Sequence, residues 1–128
     1  MTQQASGIDL FAAIDSPVEL APLERALIPT GIAVELPEGY EAQVRPRSGL
    51  AWQRGLGMLN SPGTIDSDYR AEVKIIVVNL SNERLRIEPG ERIAQMIVAK
   101  VARPEIVEVD ELSPTTRGEG GFGHTGTK

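Results

Sequence analysis

The chain has 128 residues, of which 41% are hydrophobic and 24% charged, enough for one folded core and too few for two. Its formal net charge of -5 excludes partners held by a broad basic surface, duplex DNA and anionic membranes among them. Cysteine is absent and histidine occurs once, so disulfides, thiolate metal sites, a thiol nucleophile and a multi-histidine site within one chain are excluded, and any metal must be held by oxygen.

No stretch approaches the ~20 apolar residues of a membrane span. The start, Met1-Thr-Gln-Gln-Ala-Ser-Gly7, has neither the basic nor the apolar segment of a secretory leader, so the expected location is the cytoplasm. The sequon at Asn79-Leu-Ser81 is then an accident of composition. Thirteen glycines and nine prolines cut the chain into short apolar runs, the pattern of an all-β sandwich or barrel with few helices.

In chain order, Gly7-Ile-Asp9-Leu10 offers a carboxylate that is either a turn cap or aimed at a cation. Leu27 to Leu36 carries Ile32, Val34 and Leu36 on one face; Pro37-Glu-Gly-Tyr40 supplies turn chemistry, and Ala42 to Arg47 resumes in extended form, which predicts a hairpin. Ser48-Gly-Leu-Ala-Trp-Gln-Arg54 is the one helix candidate, with Ser48 able to cap its start and Gly55 its end. Arg45-Pro-Arg47-Ser48-Gly49, at the mouth of that helix, reads either as a cap beside surface ion pairs or as an anion site of guanidiniums, hydroxyl and backbone N–H groups. Arginines at 45, 47, 54 and 70 in an acidic protein favour the anion site.

Asn60-Ser-Pro-Gly-Thr-Ile-Asp66-Ser-Asp-Tyr69 is a turn-rich segment between extended runs, read as a hairpin suited to reading a nucleobase edge. Asp66 is there either a turn residue bonded to its own backbone or a base for a water; Tyr69 is either a half-buried strand aromatic or a ligand contact. Val73 to Val78 is a β-branched run, Glu88-Pro-Gly-Glu91 predicts a type II turn, and Ile93 to Val101, apolar on both faces, predicts a central strand. Gln95 inside that strand must hydrogen-bond backbone or a ligand phosphate. The tail contains Gly118-Glu-Gly-Gly-Phe-Gly123, which has the spacing of a dinucleotide loop but lacks the strand and helix that loop requires. With Phe122 as its only large apolar residue, the segment 115–128 is either a disordered terminus or a flap for phosphates and a base, not part of a core.

Five segments in this order resemble the motifs of the homotrimeric deoxyuridine triphosphatases (dUTP pyrophosphatases): Ala5-Ser-Gly-Ile-Asp-Leu10, Arg45-Pro-Arg-Ser-Gly-Leu50, Asn60 to Tyr69, Gly90-Glu-Arg-Ile-Ala-Gln-Met96 and Arg117-Gly-Glu-Gly-Gly-Phe-Gly-His-Thr-Gly126. The resemblance spans essentially the whole chain. It implies a β jelly-roll core over residues 1–114, a C-terminal arm over 115–128 that closes over a neighbouring subunit's site, and a homotrimer whose active sites are shared between subunits. The implied reaction is hydrolysis of dUTP to dUMP and pyrophosphate with Mg²⁺, which keeps uracil out of DNA and supplies dUMP for thymidylate synthesis.

The resemblance further implies that Asp66 is the base activating the attacking water. Asn60, Gly63, Thr64 and Ile65 would read uracil, and Tyr69 would pack on the deoxyribose and reject a 2′-hydroxyl. Lys74 stands at another substrate-contacting position. Arg47, Ser48, Gly49 and Gln95 would hold phosphates, and Asp9 would reach Mg²⁺ through water. Arg117, Phe122, Gly123, His124 and Thr125 would come from another subunit. Three positions depart from the pattern. The chain starts only a few residues before the first motif, where relatives usually carry another strand, with an expected cost to trimer stability. Ala71 replaces the usual glycine, so the backbone there must avoid positive φ or carry strain; His124 replaces a serine of many relatives. Two rivals share the scaffold: a dCTP deaminase, for which residues 60 to 69 lack the needed glutamate, and a non-catalytic nucleotide-binding regulator.

Overall fold

The computed structural model describes residues 4–121. Their strands are β1 (Ile8–Phe11), β2 (Val18–Leu20), β3 (Arg25–Pro29), β4 (Tyr40–Pro46), β5 (Leu56–Met58), β6 (Gly63–Ile65), β7 (Lys74–Asn79), β8 (Leu85–Ile87) and β9 (Arg92–Lys100); the helix α1 (Ser48–Arg54) lies between β4 and β5. The strands form antiparallel sheets in the orders β1-β9-β4-β6, β2-β8 and β3-β7-β5. Neighbours distant in sequence pair throughout, giving a jelly-roll-like all-β fold. No helix among the described residues is long and apolar enough to cross a membrane.

The core lies between the sheets, where Leu10, Leu20, Ile28, Ile75, Val77, Ile87 and Ile93 are buried. As its apolar run predicts, β9 is central, with β1 on one side and β4 on the other. The Glu88–Glu91 turn also forms, with Gly90 at φ 73° and Glu91 N–H donating to the Glu88 carbonyl at 3.1 Å.

The expected hairpin from Leu27–Leu36 into Ala42–Arg47 does not form. β3 ends at Pro29 and pairs with β7, while β4 pairs with β9 and β6. The apolar alternation of the second half has another cause: Val34 and Leu36 pack partly buried against the core without joining a ladder. The turn itself is real, with Tyr40 N–H bonding the Pro37 carbonyl at 3.2 Å. Residues 56–65 likewise split between sheets, β5 on β7 and β6 on β4, so this segment crosses the fold instead of pairing with itself.

The helix occupies the predicted span with different capping. Arg47, at φ -84° and ψ 126°, is the N-cap residue and makes no side-chain cap bond, which leaves Ser48 as the first helical residue. Gly55 ends the helix in the left-handed region at φ 67°, and a β-carbon there would lie 2.8 Å from the Ser81 nitrogen. After Lys100 no strand or helix occurs among the described residues, and 101–119 are exposed.

Candidate active site

Two clefts collect the candidate residues. The first, of about 340 Å³, lies where β1, β9 and the start of α1 meet, lined by Asp9, Arg47, Ser48, Gly49, Leu50, Gln53 and Gln95. The ladder places Asp9 opposite Gln95, and Gln95 opposite Arg45. Asp9 is gripped from both sides: its Oδ1 lies 3.3 Å from Arg47 Nε, and its Oδ2 accepts from Arg92 Nη1 at 3.3 Å. Arg47 also donates to the Arg92 carbonyl at 3.3 Å. Two guanidiniums around one carboxylate leave a net positive corner, and the N–H groups of the first helical turn have no partners within the helix.

Gln95 satisfies its partly buried amide by donating to the Pro46 carbonyl at 3.3 Å. Its Oε1 lies where Gly7 leaves room: a β-carbon on Gly7 would approach that atom to 2.7 Å. The glycine of the first motif is thus needed for close approach to the fourth motif's glutamine. Ser48 and Gly49 stand at the cleft as expected, but of the four arginines only Arg47 lines it. Arg45 donates to Gln43 at 2.7 Å, Arg54 pairs with Glu91, and Arg70 bonds the Ser67 carbonyl at 2.7 Å. Clustering in sequence overstates the anion site because β4 turns Arg45 onto its neighbour and α1 carries Arg54 to its far end.

The second cleft, of about 310 Å³, is lined by Thr64, Ile65, Asp66, Tyr69 and Lys74 with Leu27, Val73 and Ile76. Asn60 stands just outside, and its amide nitrogen would be 3.1 Å from a β-carbon on Gly63. A side chain at 63 would push that amide away. Asp66 closes a turn through its backbone carbonyl, which accepts Tyr69 N–H at 3.1 Å. Its carboxylate accepts no hydrogen bond among the described residues, so of the two readings the turn does not consume it. Tyr69 is 41% exposed, in the loop after β6 and not in a strand. Its hydroxyl donates to the Glu72 carbonyl at 3.1 Å. Ala71 avoids positive φ, which among the described non-glycine residues occurs only at Leu23, so the departure from glycine costs no strain.

The clefts are far apart. Ile65 pairs with Ala42, so Asp66 falls opposite Glu41, six residues along β4 from Arg47. At ~3.3 Å per residue that is about 20 Å. Arg117 lines neither cleft, its Nε donating to the Gly120 carbonyl at 2.8 Å in the exposed tail. Phe122, Gly123, His124 and Thr125 lie outside the described residues. Arg92, Gln53 and Glu72 are contributors that the sequence reading missed. Arg92 sits two residues after Gly90 in the fourth motif, and Gln53 is one helical turn after Gly49, a spacing that could have flagged it.

The chain matches the family model described as dUTPase over residues 1–126. It is 65% identical over 127 residues to the deoxyuridine 5'-triphosphate nucleotidohydrolase of Aquifex aeolicus, covering 99% of this chain and 85% of that one. A mutant dUTPase of Staphylococcus bacteriophage 80alpha, solved with dUpNHpp, superposes with a TM-score of 0.88 at 32% identity over 99% of this chain and 89% of that one. A mutant dUTPase from phage phi11 of S. aureus, described with a structural Mg(II) ion, gives 0.78 at 25% identity over 88% of each chain. By its motifs, fold and relatives alike, the chain belongs to the dUTPase family.

Proposed function

We propose that the chain hydrolyses dUTP to dUMP and pyrophosphate, with each active site built from more than one copy of the chain. Water loses a proton to the Asp66 carboxylate while its oxygen attacks the α-phosphorus. The bond from that phosphorus to the bridging oxygen breaks, and pyrophosphate leaves in line. Arg47, Ser48, Gly49 and Gln95 hold the phosphates, Asn60 with Gly63, Thr64 and Ile65 reads uracil, and Tyr69 covers the sugar with Lys74 beside it.

The observation that carries shared sites is the separation of about 20 Å between Asp66 and Arg47 on one protomer, whereas Asp66 acts at the α-phosphorus of the same triphosphate that Arg47 holds. One protomer cannot apply both to one nucleotide. A homotrimer supplies the second half-site from a neighbour. The exposed apolar residues Phe11, Leu27, Ile106 and Leu112, at 49%, 57%, 95% and 87%, provide surface for such an assembly. Residues 115–128 act as the arm over a neighbour's site, with Arg117, Phe122, Gly123, His124 and Thr125 reaching the nucleotide, and 1–114 as the core.

Mg²⁺ fits this arrangement as a guest of the nucleotide. No group of three or more carboxylates or histidines that could cage a metal occurs among the described residues, and Asp9 is already paired with Arg47 and Arg92. One carboxylate reaching through water, with phosphate oxygens completing the shell, is the coordination Mg²⁺ favours. Bound there, the ion supplies charge neutralisation and alignment of the triphosphate. The chemistry belongs to a cytoplasmic nucleotide pool. Incubation with dUTP, UTP, dTTP and dCTP, reading pyrophosphate release, tests the reading: release from dUTP alone is expected, and none from dUTP overturns it.

A further inference from the structure

We infer that Glu72, on the strap between Tyr69 and Lys74, is a positioning residue that sets discrimination between deoxyribose and ribose; this rests on the proposed dUTP hydrolysis and on Tyr69 covering the sugar. Tyr69 lies in an exposed loop, and the hydrogen bond that fixes its hydroxyl runs to the Glu72 carbonyl at 3.1 Å. The ring is therefore only as well placed as the backbone of residue 72.

That backbone is tied down by its own side chain. Glu72 Oε1 accepts Gly31 N–H at 2.8 Å, across 41 residues of sequence, and its Oε2 lies 3.8 Å from Lys74 Nζ. Gly31 is a firm anchor. Ala13 N–H bonds the Pro29 carbonyl at 2.9 Å, and Thr30 Oγ1 donates to the Val73 carbonyl at 2.6 Å. Val73 N–H bonds the Ile32 carbonyl at 2.9 Å, and Val73 is fully buried. The chain is thus anchored from residue 73 onward; the loop before it is held within itself by Tyr69 N–H on the Asp66 carbonyl and Arg70 on the Ser67 carbonyl, and the Glu72 carboxylate ties it to Gly31.

One side chain so steadies two members of the sugar cleft, Tyr69 through a carbonyl and Lys74 through charge. The link to Gly31 is the stronger of the two, because the ion pair with Lys74, at 3.8 Å, is longer than a hydrogen bond. A ring released from this tether can tilt, and the space it yields is the space a 2′-hydroxyl needs. Sub-ångström placement decides such rejections.

The test compares kcat/KM for dUTP and UTP in the full chain and its variants. Glu72→Gln keeps an acceptor for Gly31 and is expected to hold the dUTP/UTP ratio within about threefold of the parent, whereas Glu72→Ala lowers it roughly tenfold. Tyr69→Phe, lacking the hydroxyl, is expected to lower the ratio similarly, and the double variant Tyr69→Phe/Glu72→Ala to lower it no further. A parental ratio in Glu72→Ala, or an equal fall in Glu72→Gln, overturns the inference. If Glu72→Ala does not fold, Tyr69→Phe carries the test: a lowered ratio sustains the tether, an unchanged one overturns it. A parent chain inactive on dUTP refutes the functional reading instead, a result separable from an active parent whose ratio ignores Glu72.

Discussion

Two inactive variants should restore one another when mixed. Asp66→Asn removes the base from one cleft, and Arg47→Ala removes the phosphate grip from the other. On one protomer these positions are about 20 Å apart along β4, by the ~3.3 Å rise of a strand. If a neighbour completes each site, a functional site needs an Arg47 from an Asp66→Asn protomer facing an Asp66 from an Arg47→Ala protomer. Equal random mixing puts three trimers in four in a hybrid composition, and every hybrid ring contains one such junction among three sites. Activity is therefore expected to return to about a quarter of the parental value. The assay is pyrophosphate release after co-refolding or co-expression, set against the same variants mixed without exchange. Recovery no greater than that control refutes sites built between copies, since a site within one chain gains nothing from mixing.

Asp66→Asn alone should lose about 10² to 10⁴ in turnover while still binding a non-hydrolysable dUTP analogue, measured by calorimetry; normal turnover removes the base from Asp66. Deleting residues 115–128 is expected to abolish most activity yet leave the thermal unfolding midpoint in place, because the buried core ends with Met96; a truncated chain with full turnover refutes the arm. Asn79→Ala should destabilise by about 2–4 kcal/mol in urea unfolding. The buried Asn79 amide donates to the Leu20 and Glu83 carbonyls at 2.9 and 2.7 Å and accepts Ser81 N–H at 2.9 Å; a loss under about 1 kcal/mol would mean that water replaces these bonds.

What was legible in the sequence was local. The span of α1 followed from a glycine stop, the Glu88–Glu91 turn from its Pro-Gly pair, and the central place of β9 from a run apolar on both faces. Pairing across the fold was not legible. Ile32, Val34 and Leu36 have strand spacing, but Val34 and Leu36 owe their burial to packing on the core and not to a ladder, and alternation reports burial without naming the partner. The same holds for the site. Motif order identified Asp9, Arg47 and Gln95, and the ladder brought them to one cleft; nothing local to Arg45 or Arg70 tells that each is spent on a neighbouring carbonyl or amide. Glu72 escaped notice because its partner, Gly31, is 41 residues away.

The division of the site follows from the architecture. The phosphate grip needs the start of a helix, and α1 begins only where β4 ends. The proposed base reader is β6 with its turns, and β6 pairs with the middle of β4, at Ala42 to Val44, running away from Arg47 towards Asp66. Both are thus attached to one strand, which cannot bend to bring Arg47 and Asp66 together without breaking its pairing with β9 from Tyr40 to Pro46. Arg47 and Asp66 stay about 20 Å apart on one copy, which supports the proposal that one triphosphate meets them from different copies. The same logic suits the charge. A chain of net charge -5 repels a triphosphate at long range, and the net positive corner of Arg47 and Arg92 around Asp9 offsets that repulsion only within the cleft. Arg47 and Arg92 exceed Asp9 by one positive charge, too little for a triphosphate, so incoming phosphate charge calls for a further cation carried with it.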